Sequence, residues 1–424
     1  MPRLDKIVVE GGCRLEGNVQ IGGSKNAVLP IMAASLLAPG SYRIDNVPVL
    51  RDVQTMGRLL EGMGVRTEFS GHRLTIDSSS CSHFEAPYNL VKTMRASIYV
   101  LGPLLARFGY AKVSLPGGCA WGPRPVNLHI EGMRKLGASI EIQEGYIIAR
   151  KDRFKGAQIS FDVSSVGATG NVLLASVLAE GLTVIQPAAR EPEITALARF
   201  LNKMGAKIKG IGTDRLEIQG VQSLSPTDET VIPDRIEAGT FLAACAVAGG
   251  DVTLLGVEPK HLTAVLGRLA DAGVEVHFSA DSIRIQSSGI LKPVDVSTSV
   301  YPGFPTDMQA QWMALMGVAT GSCTITDTIY LDRFTHVPEL KRLGADITLD
   351  FNRARIKGVP ALSGAPVMST DLRASASLIL AGLVAKGRTD VSRVYHIDRG
   401  YEGIEKKLQI LGARIWREKE DLVV

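Results

Sequence analysis

A glycine motif that recurs about every 70 residues constrains the fold of this chain more than any other feature. In each copy a Gly ends a helical run and is followed by Ala or Val and a strand-like stretch, as in RKLGASIEI and KRLGADITL. The copies are spaced 73, 68, 68, 71 and 68 residues apart, so six repeats account for all 424 residues. A Gly in this place is typical of the left-handed residue just after a helix. The six residues are Gly64, Gly137, Gly205, Gly273, Gly344 and Gly412.

A second series of glycines alternates with the first. These glycines end apolar helical runs such as MQAQWMALMGVATG, and a short β-branched stretch follows each of them. Each repeat therefore predicts a helix, strand, loop, helix, strand, turn and strand. The prediction is an α/β protein whose apolar helices are buried against sheets. The second series consists of Gly40, Gly109, Gly181, Gly249, Gly321 and Gly387.

The repeat also predicts where polar groups gather, because it marks the residues at which helices begin. Fourteen residues before the second series stand Asn26 (beside Lys25), Arg95, Gly167, Arg235, Asp307 and Arg373. Thirteen residues before the first series stand Arg51, Arg124, Pro192, Lys260, Leu331 and Arg399. An Arg at a helix start opposes the helix dipole, whereas cations beside free backbone N–H groups make a good anion site. The repeat thus indicates an anion site, with solvated loop charges as the alternative.

Size, charge and the distribution of apolar residues limit the classes of protein to which this chain can belong. A chain of 424 residues is too long for one ordinary core, so we expect two domains. The formal net charge is +4, without a Lys/Arg run that would indicate a nucleic-acid partner. The start MPRLDKIVVEGG lacks the apolar core of a signal peptide, and no apolar run reaches the length of a membrane span. We expect a cytoplasmic protein that binds neither nucleic acid nor membrane.

The stretch PGGCAWGPRP, residues 116–125, is the most unusual setting among the five cysteines. Those five are widely spaced and form no CxxC pair, which disfavours a disulfide framework or a zinc site. EGNVQIGGSKN nearly mimics a phosphate loop but has Gly-Ser where Lys-Ser/Thr is required. His129 and His396 lack ligand partners at metal spacing, so core or loop roles are favoured for both.

Ten segments spread along the chain have a recognisable pattern. They are GGSKNAVLP (22–30), MRASI (94–98), PGGCAWGPRPVNLH (116–129), SVGAT (165–169), AREPEI (189–194), IPDRIEAGTF (232–241), YPGFPTDMQAQ (301–311), RFTHVPELKRLGA (333–345), TDLRASAS (370–377) and YHIDRGYE (395–402). Together they resemble the UDP-N-acetylglucosamine 1-carboxyvinyltransferase family of enolpyruvyl transferases. The resemblance implies an α/β enolpyruvyl transferase fold of two inside-out α/β barrels, with three βαβαββ repeats per domain. It places one domain at 1–22 plus 233–424 and an inserted domain, carrying the Cys119 loop, at 23–232.

The resemblance also implies a reaction. The family moves the enolpyruvyl group of phosphoenolpyruvate onto the 3′-hydroxyl of UDP-N-acetylglucosamine and releases phosphate, without metal or cofactor. This step opens peptidoglycan precursor synthesis and thereby serves cell-wall biogenesis, cell shape and the cell division cycle. Such chemistry needs a general acid, a general base and cations for several negative charges. The implied partners are the two small substrates, with the protein a monomer or weak homo-oligomer.

Residue roles follow from the same resemblance. It implies that Cys119 is the general acid, forms a pyruvate adduct and is alkylated by fosfomycin, and that Asp307 is the base, with an N-cap as its alternative. It assigns phosphoenolpyruvate to Lys25, Asn26, Arg124 and Arg399, of which Lys25 and Arg399 are counted as catalytic. It assigns UDP-N-acetylglucosamine to Arg95, Arg124, Pro125, Val126, Asn127, Leu128, Ser165, Val166, Gly167, Asp307 and Ile329. The other implied cleft residues, with structural salt bridges as their alternative, are Glu191, Glu193, Arg235, Arg333, Asp371 and Arg373.

Three residues depart from the family pattern. Asn127 stands where many members have Asp, Val163 where some have Lys, and Trp121 where a smaller aliphatic residue is common. The first two fall on the nucleotide side of the implied site. Two alternative functions therefore stay open: an enolpyruvyl transferase with another acceptor, such as 3-phosphoshikimate or a free nucleotide, and a non-catalytic regulatory paralogue.

Overall fold

The structure, a computed structural model, describes residues 5–116 and 126–419, and within them it has 24 strands and 13 α-helices. The strands are β1 (Asp5–Glu10), β2 (Leu15–Gln20), β3 (Ser41–Asp45), β4 (Arg66–Ser70), β5 (Arg73–Asp77), β6 (Glu85–Ala86), β7 (Tyr110–Ser114), β8 (Ser139–Gln143), β9 (Tyr146–Arg150), β10 (Gln158–Ser160), β11 (Leu182–Gln186), β12 (Lys207–Lys209), β13 (Leu216–Gln219), β14 (Glu229–Thr230), β15 (Gly250–Leu255), β16 (Glu275–Phe278), β17 (Ser282–Ser287), β18 (Val296–Ser297), β19 (Ser322–Thr326), β20 (Asp346–Asp350), β21 (Arg353–Lys357), β22 (Pro366–Met368), β23 (Arg388–Ser392) and β24 (Arg414–Lys419).

The α-helices alternate with the strands along the chain. They are α1 (Lys25–Ala34), α2 (Arg51–Gly62), α3 (Tyr88–Val91), α4 (Leu101–Phe108), α5 (Asn127–Lys135), α6 (Val166–Ser176), α7 (Pro192–Lys203), α8 (Arg235–Ala248), α9 (Thr263–Asp271), α10 (Gln309–Met316), α11 (Val337–Arg342), α12 (Leu372–Val384) and α13 (Ile404–Ile410). Short 3₁₀ helices lie at Ser35–Leu37, Arg95–Val100, Pro259–His261, Thr306–Met308 and Val394–Arg399.

The glycine motif has the backbone conformation that the sequence predicts. All six first-series glycines have positive φ, between +88° and +106°, which residues with a Cβ rarely adopt. The second series is less regular. Only Gly109 and Gly249 directly follow a helix, and the other four come three to five residues after the helical segment ends.

The described strands form six separate four-stranded sheets rather than one closed barrel, and all six have the same topology. In each sheet the first two strands are parallel and the next two pairings are antiparallel, as in the order β6-β7-β9-β8. This common pattern is the βαβαββ repeat that the glycine spacing predicts.

The chain divides into two compact units, one of 1–22 plus 233–424 and the other of 23–232. Each unit has its own hydrophobic core. In each core the first helix of every repeat is apolar on most of its surface, and every residue of α10 is buried. A helix that is apolar all round belongs in a core, because no face of it gains by meeting water.

Most predicted helix starts are correct. The six positions that lie fourteen residues before the second-series glycines are all among the first two residues of an α- or 3₁₀ helix. In the second set, Arg51 and Pro192 begin α2 and α7, and Arg124 lies outside the described residues. The prediction is wrong for Leu331, which lies in a loop, and for Arg399, which ends a 3₁₀ helix. The rule failed there because irregular chain or a short 3₁₀ helix precedes the second helix of those repeats.

Candidate functional site

In the unit of 1–22 plus 233–424, the starts of three buried helices come together. α8, α10 and α12 pack against one another, and the 3₁₀ turn Thr306–Met308 leads into α10. Asp307 lies in this turn, where its carboxylate is 2.9 Å from Arg373 of α12. The fold thus brings together a carboxylate and a guanidinium that are 66 residues apart in sequence.

Asp307 is flanked by two arginines and does not cap its helix. Its Oδ1 is 2.8 Å from Arg333 Nη1, and its Oδ2 is 2.9 Å from Arg373 Nη2. The side chain of Asp307 is 28% exposed, against 13% for Arg333 and 5% for Arg373. Burial favours a higher pKa, but the two cations outweigh it and hold the pKa of Asp307 well below its usual range. The carboxylate is therefore ionised and keeps acceptor capacity on its exposed side.

Arg373 also donates a hydrogen bond to the buried hydroxyl of Tyr401, and the direction of that hydroxyl's own proton follows from its neighbours. Thr240 Oγ1 donates to the Ile236 carbonyl at 2.8 Å, so its oxygen must accept from Tyr401, also at 2.8 Å. The Tyr401 oxygen then accepts from Arg373 Nη1 at 3.2 Å. Burial raises the pKa of Tyr401, so the phenol stays neutral. This chain of hydrogen bonds fixes the plane of the guanidinium that contacts Asp307.

Asp371 and Asp234 are N-caps in the same unit. Asp371 Oδ1 accepts from the backbone N–H groups of Arg373 and Ala374, at 2.8 and 3.2 Å. Burial raises the pKa of Asp371, while the Arg333 charge and the two N–H groups oppose that shift. Asp234 accepts from the N–H groups of Ile236 and Glu237 in the same way. These carboxylates accept hydrogen bonds from backbone N–H groups that have no partner within their own helices.

Two further cations of this unit stand beside the same helix starts. Arg235 is the first residue of α8 and lies 5.7 Å from the ring of Tyr301, in the segment that leads to Asp307. Arg399 lies at the end of a 3₁₀ helix that packs on α12. Burial, followed by the charges of Arg399 and Arg393, lowers the pKa of His396 to about 4, so this His stays neutral.

In the unit of 23–232, Lys25 is paired with a carboxylate that the sequence analysis missed. Lys25 begins α1, where its charge opposes the helix dipole. Its Nζ lies 3.3 Å from Asp52 Oδ2, and Asp52 is buried in the first turn of α2. The pair holds an ammonium at the start of α1, where the helix dipole also favours negative charge, and this is the arrangement expected for binding an anion.

A second group of helix starts in this unit surrounds His129. Asn171 of α6 donates from Nδ2 to His129 Nδ1 at 3.1 Å, so the His proton is on Nε2. His129 is 3% exposed, which places it in the core, and burial, with a contribution from Arg95, lowers its pKa to about 3. A Cβ on Gly167 would lie only 3.0 Å from His129 Nε2. Gly167 therefore lets the start of α6 approach α5 closely.

The remaining predicted residues lie as follows. Asn26 is the second residue of α1; Ser165 caps α6 by accepting from Ala168 N at 3.3 Å, and Val166 begins that helix. Glu191 precedes α7 as its N-cap residue, and Glu193 is buried in its first turn. Val126 and Leu128 are mostly covered, whereas Asn127 and Ile329 are exposed. Cys119, Trp121, Arg124 and Pro125 lie outside the described residues.

Sequence reasoning missed four polar residues that contact the predicted ones: Asp52, Thr306, Asp327 and Tyr401. Asp52 and Thr306 each stand next to a residue that the repeat had marked, Arg51 and Asp307. Extending each helix-start position by one residue on either side would have found both. No comparable signal marked Asp327 or Tyr401, which are brought in by the tertiary structure.

No helix within 5–116 and 126–419 is both long and apolar enough to cross a membrane. In the same residues no three His, Cys, Asp or Glu side chains are grouped as metal ligands.

Sequence comparisons match this chain over nearly its whole length. A sequence model of the EPSP synthase (3-phosphoshikimate 1-carboxyvinyltransferase) family matches residues 9–408. The UDP-N-acetylglucosamine 1-carboxyvinyltransferase of Chloroherpeton thalassium is 58% identical over 421 residues, covering 99% of this chain and 98% of that protein. The protein of the same name from Geotalea uraniireducens is 53% identical over 417 residues, covering 98% of this chain and all of that protein.

Solved structures confirm the predicted fold. The enolpyruvyl transferase NikO from Streptomyces tendae superposes with a TM-score of 0.89 at 27% identity, covering 99% of this chain and all of NikO. An EPSP synthase from Acinetobacter baumannii has a TM-score of 0.75 at 21% identity, covering 98% of this chain and all of that one. At 21% identity, the likeness to the EPSP synthase shows the fold alone.

Proposed function

The chain belongs to the UDP-N-acetylglucosamine 1-carboxyvinyltransferase family, and we propose that it transfers the enolpyruvyl group of phosphoenolpyruvate to the 3′-hydroxyl of UDP-N-acetylglucosamine. The observation that carries the proposal is the identity of 53–58% with proteins of that name over 98–99% of this chain. The carboxylate of Asp307, set between two arginines, supports it. The reaction is the first committed step of peptidoglycan precursor synthesis, and we infer that it takes place in the cytoplasm.

The reaction needs a proton to be gained at one place and lost at another. In our proposal the Cys119 thiol protonates C3 of phosphoenolpyruvate while the acceptor oxygen attacks C2, and the acceptor hydroxyl gives up its proton. Phosphate then leaves C2 while C3 returns a proton to the Cys119 thiolate, which restores the double bond in the product and the thiol in the protein. Cys119 can also add to C2 and form the covalent adduct, because a thiolate is a good nucleophile.

Asp307 is proposed to orient the 3′-hydroxyl and to receive its proton. Its two arginines keep it ionised, so it can accept a hydrogen bond from the hydroxyl at any ordinary pH. The same arginines make it a weak base in the free protein. Proton transfer therefore becomes favourable only as the hydroxyl oxygen bonds to C2 and its own acidity rises.

The cations are proposed to hold the negative charges of phosphoenolpyruvate. Lys25, with Asn26 beside it at the start of α1, suits an anion because the charge of the ammonium and the positive end of the helix dipole act together. Arg124 and Arg399 are proposed to share this role. Arg95, Ser165–Gly167 and Val126–Leu128 occupy helix starts that would hold the nucleotide sugar, with Ile329 and Pro125 as further contacts.

Phosphate release with different acceptors tests the proposal. The purified protein would be incubated with phosphoenolpyruvate and UDP-N-acetylglucosamine, 3-phosphoshikimate or UMP. We expect release with the sugar nucleotide. Release only with 3-phosphoshikimate or UMP would assign another acceptor, and absence of release with all three would favour a non-catalytic role.

Mass spectrometry tests the role of Cys119. We expect Cys119→Ala to abolish both the adduct with phosphoenolpyruvate and labelling by fosfomycin, while Cys119→Asp keeps some turnover and resists fosfomycin. A matched control is Cys81→Ala, since Cys81 is a half-buried thiol whose pKa is raised by burial. Equal labelling of the wild type and Cys119→Ala would refute the assignment.

A further inference from the structure

Asp327 is a fully buried carboxylate to which the family resemblance gives no role. Its Oδ1 accepts from Thr298 Oγ1 at 2.8 Å and from the backbone N–H groups of Ile329 and Tyr330 at 2.9 Å each. Its Oδ2 accepts from Thr306 Oγ1 at 2.7 Å. Four donors therefore surround a side chain that, when ionised, only accepts.

The position of Asp327 is also fixed by hydrogen bonds of its own backbone and of the groups around it. Its backbone N–H donates to the Asn352 carbonyl at 3.0 Å, and its carbonyl accepts from Asn352 Nδ2 at 2.9 Å. Thr298 Oγ1, which donates to Asp327, accepts in turn from Thr328 N at 3.0 Å. The carboxylate is thus a rigid point at the end of β19 and not a mobile side chain.

The hydroxyl of Thr306 has a determined direction because Asp327 takes its only proton. The Thr306 oxygen can then only accept, and Arg333 Nη1 donates to it at 3.0 Å. The same Nη1 lies 2.8 Å from Asp307 Oδ1. Asp327, Thr306 and Arg333 therefore form a relay that ends on the carboxylate of Asp307.

We propose that Thr306 and Asp327 are positioning residues that hold Arg333 against Asp307 and tie this pair to the backbone of residues 329–330. This inference rests on the proposed function, which gives Asp307 the acceptor hydroxyl and Ile329 a contact with the nucleotide sugar. One buried carboxylate thereby fixes the distance between the group that takes the proton and the segment that seats the substrate. A misplacement of about 1 Å in such an arrangement can cost about 100-fold in rate.

Paired variants of Thr306 test the relay. Thr306→Val keeps the shape and removes the hydroxyl, whereas Thr306→Ser keeps the hydroxyl. We expect Thr306→Val to lower kcat about 10- to 100-fold with unchanged KM for phosphoenolpyruvate, and Thr306→Ser to restore most of kcat. A merely structural role of the hydroxyl would lower the stability of Thr306→Val but would not lower kcat of the folded protein at unchanged KM. Thr320→Val is the control, because it removes a hydroxyl that donates to the Leu291 carbonyl at 3.1 Å beyond the other end of α10.

Asp327→Asn tests the direction of the hydrogen bonds. An Asn amide in this place would donate to Thr306, so the Thr306 proton would turn toward Arg333 and repel it. We expect kcat to fall as in Thr306→Val, and KM for UDP-N-acetylglucosamine to rise as well, since the Ile329 and Tyr330 N–H groups lose a charged acceptor. The double variant should have the kcat of the single ones, because both remove one relay.

The outcomes separate this inference from the proposed function. Crystal structures of the Thr306 variants need no turnover: Arg333 should leave Asp307 in the Val variant and stay in the Ser variant. If the wild type is active and Thr306→Val has the same kcat, the relay alone is overturned. The relay is likewise overturned if Arg333 does not move in the structure of Thr306→Val. A wild type that releases no phosphate with any acceptor would overturn the proposed function, while the position of Arg333 would still decide the relay.

Discussion

At the scale of single residues, Asp307 shows how neighbouring groups decide what one carboxyl group can do. The sequence predicts an Asp at a helix start, where an N-cap would be the ordinary role. The structure instead gives the capping role to Asp371 and Asp234 in the neighbouring helices and turns Asp307 toward Arg333 and Arg373. Its pKa is lowered against the effect of burial, so the free protein holds it ionised.

The pH dependence of Arg333→Gln tests this electrostatic account. The pKa of Asp307 is depressed in the folded protein, so its contribution to stability is present above its unfolded value and is lost as pH falls through the folded value. Removing one of its two cations raises that pKa, because a nearby positive charge favours the ionised carboxylate. We expect the acidic limb of kcat/KM, and the acid loss of stability, to move to higher pH.

The control for this measurement is Arg342→Gln. Arg342 lies in α11 of the same unit, with a side chain 57% exposed, and its nearest carboxylate is Glu339 at 3.7 Å. A pH profile that is the same for wild type and Arg333→Gln would show that Asp307 does not limit the rate on the acidic side.

At the scale of elements, two features define the repeat: the glycine that follows the second helix of each repeat, and the polar residues at the helix starts. The glycine is needed where the chain leaves the helix with positive φ and turns back into a strand. The helix starts are needed because their N–H groups cannot be satisfied within the helix. One periodic pattern therefore determines both the turns and the places where charged groups gather.

Gly344→Ala and Gly267→Ala are a matched pair that we expect to change the free energy of unfolding in opposite directions. Gly344 has φ +92° and a Cβ there would meet no atom within 4 Å, so the substitution isolates the backbone strain. We expect it to destabilise by about 1–2 kcal/mol. Gly267 lies inside α9 with equally open space, so Ala there should stabilise by about 0.5–1 kcal/mol. Shifts of the same sign in denaturant unfolding would contradict this account.

The loop before α6 offers a test of a departure from the family. Val163 is 60% exposed and stands where some members have Lys. We expect Val163→Lys to lower KM for UDP-N-acetylglucosamine about two- to fivefold, the effect of one exposed charge pair, and to leave KM for phosphoenolpyruvate unchanged. The gain should vanish at high salt.

Val163→Met adds length without charge and is the matched control. If Met lowers KM as much as Lys does, the gain comes from apolar contact and the charge account fails.

At the scale of the whole molecule, both ends of the chain are needed to complete sheets. In the unit of 23–232, β14 at the end of the unit supplies the parallel first strand beside β3, as β6 does beside β7. In the other unit, β2 supplies that strand beside β15. β1 is an interior strand of the last sheet, paired with β23 and β24. The sixfold pattern is therefore completed by segments far apart in sequence.

Truncation tests this dependence. We expect residues 23–232 to fold alone with cooperative thermal unfolding, because all three of their sheets are formed within that segment. Residues 233–424 alone should fail to fold, because two of their three sheets lose a strand and β1 is paired on both sides. Adding residues 1–22 at the N-terminus through a flexible linker should restore folding. Cooperative unfolding of 233–424 alone would contradict the role of β1 and β2.

Local sequence patterns alone predict the repeat, the element order and most helix starts, because turns and buried faces depend on local residues. Gly137 or Asp307 could be located from the chain alone, since backbone conformation and helix ends follow short patterns. Only the tertiary structure paired Asp307 with Arg333 and Arg373, placed Asp52 beside Lys25 and brought Asp327 and Tyr401 behind the arginines. Those contacts join segments far apart in sequence. Their pairing depends on which helices pack together and which strands close each sheet, and no local pattern encodes that choice.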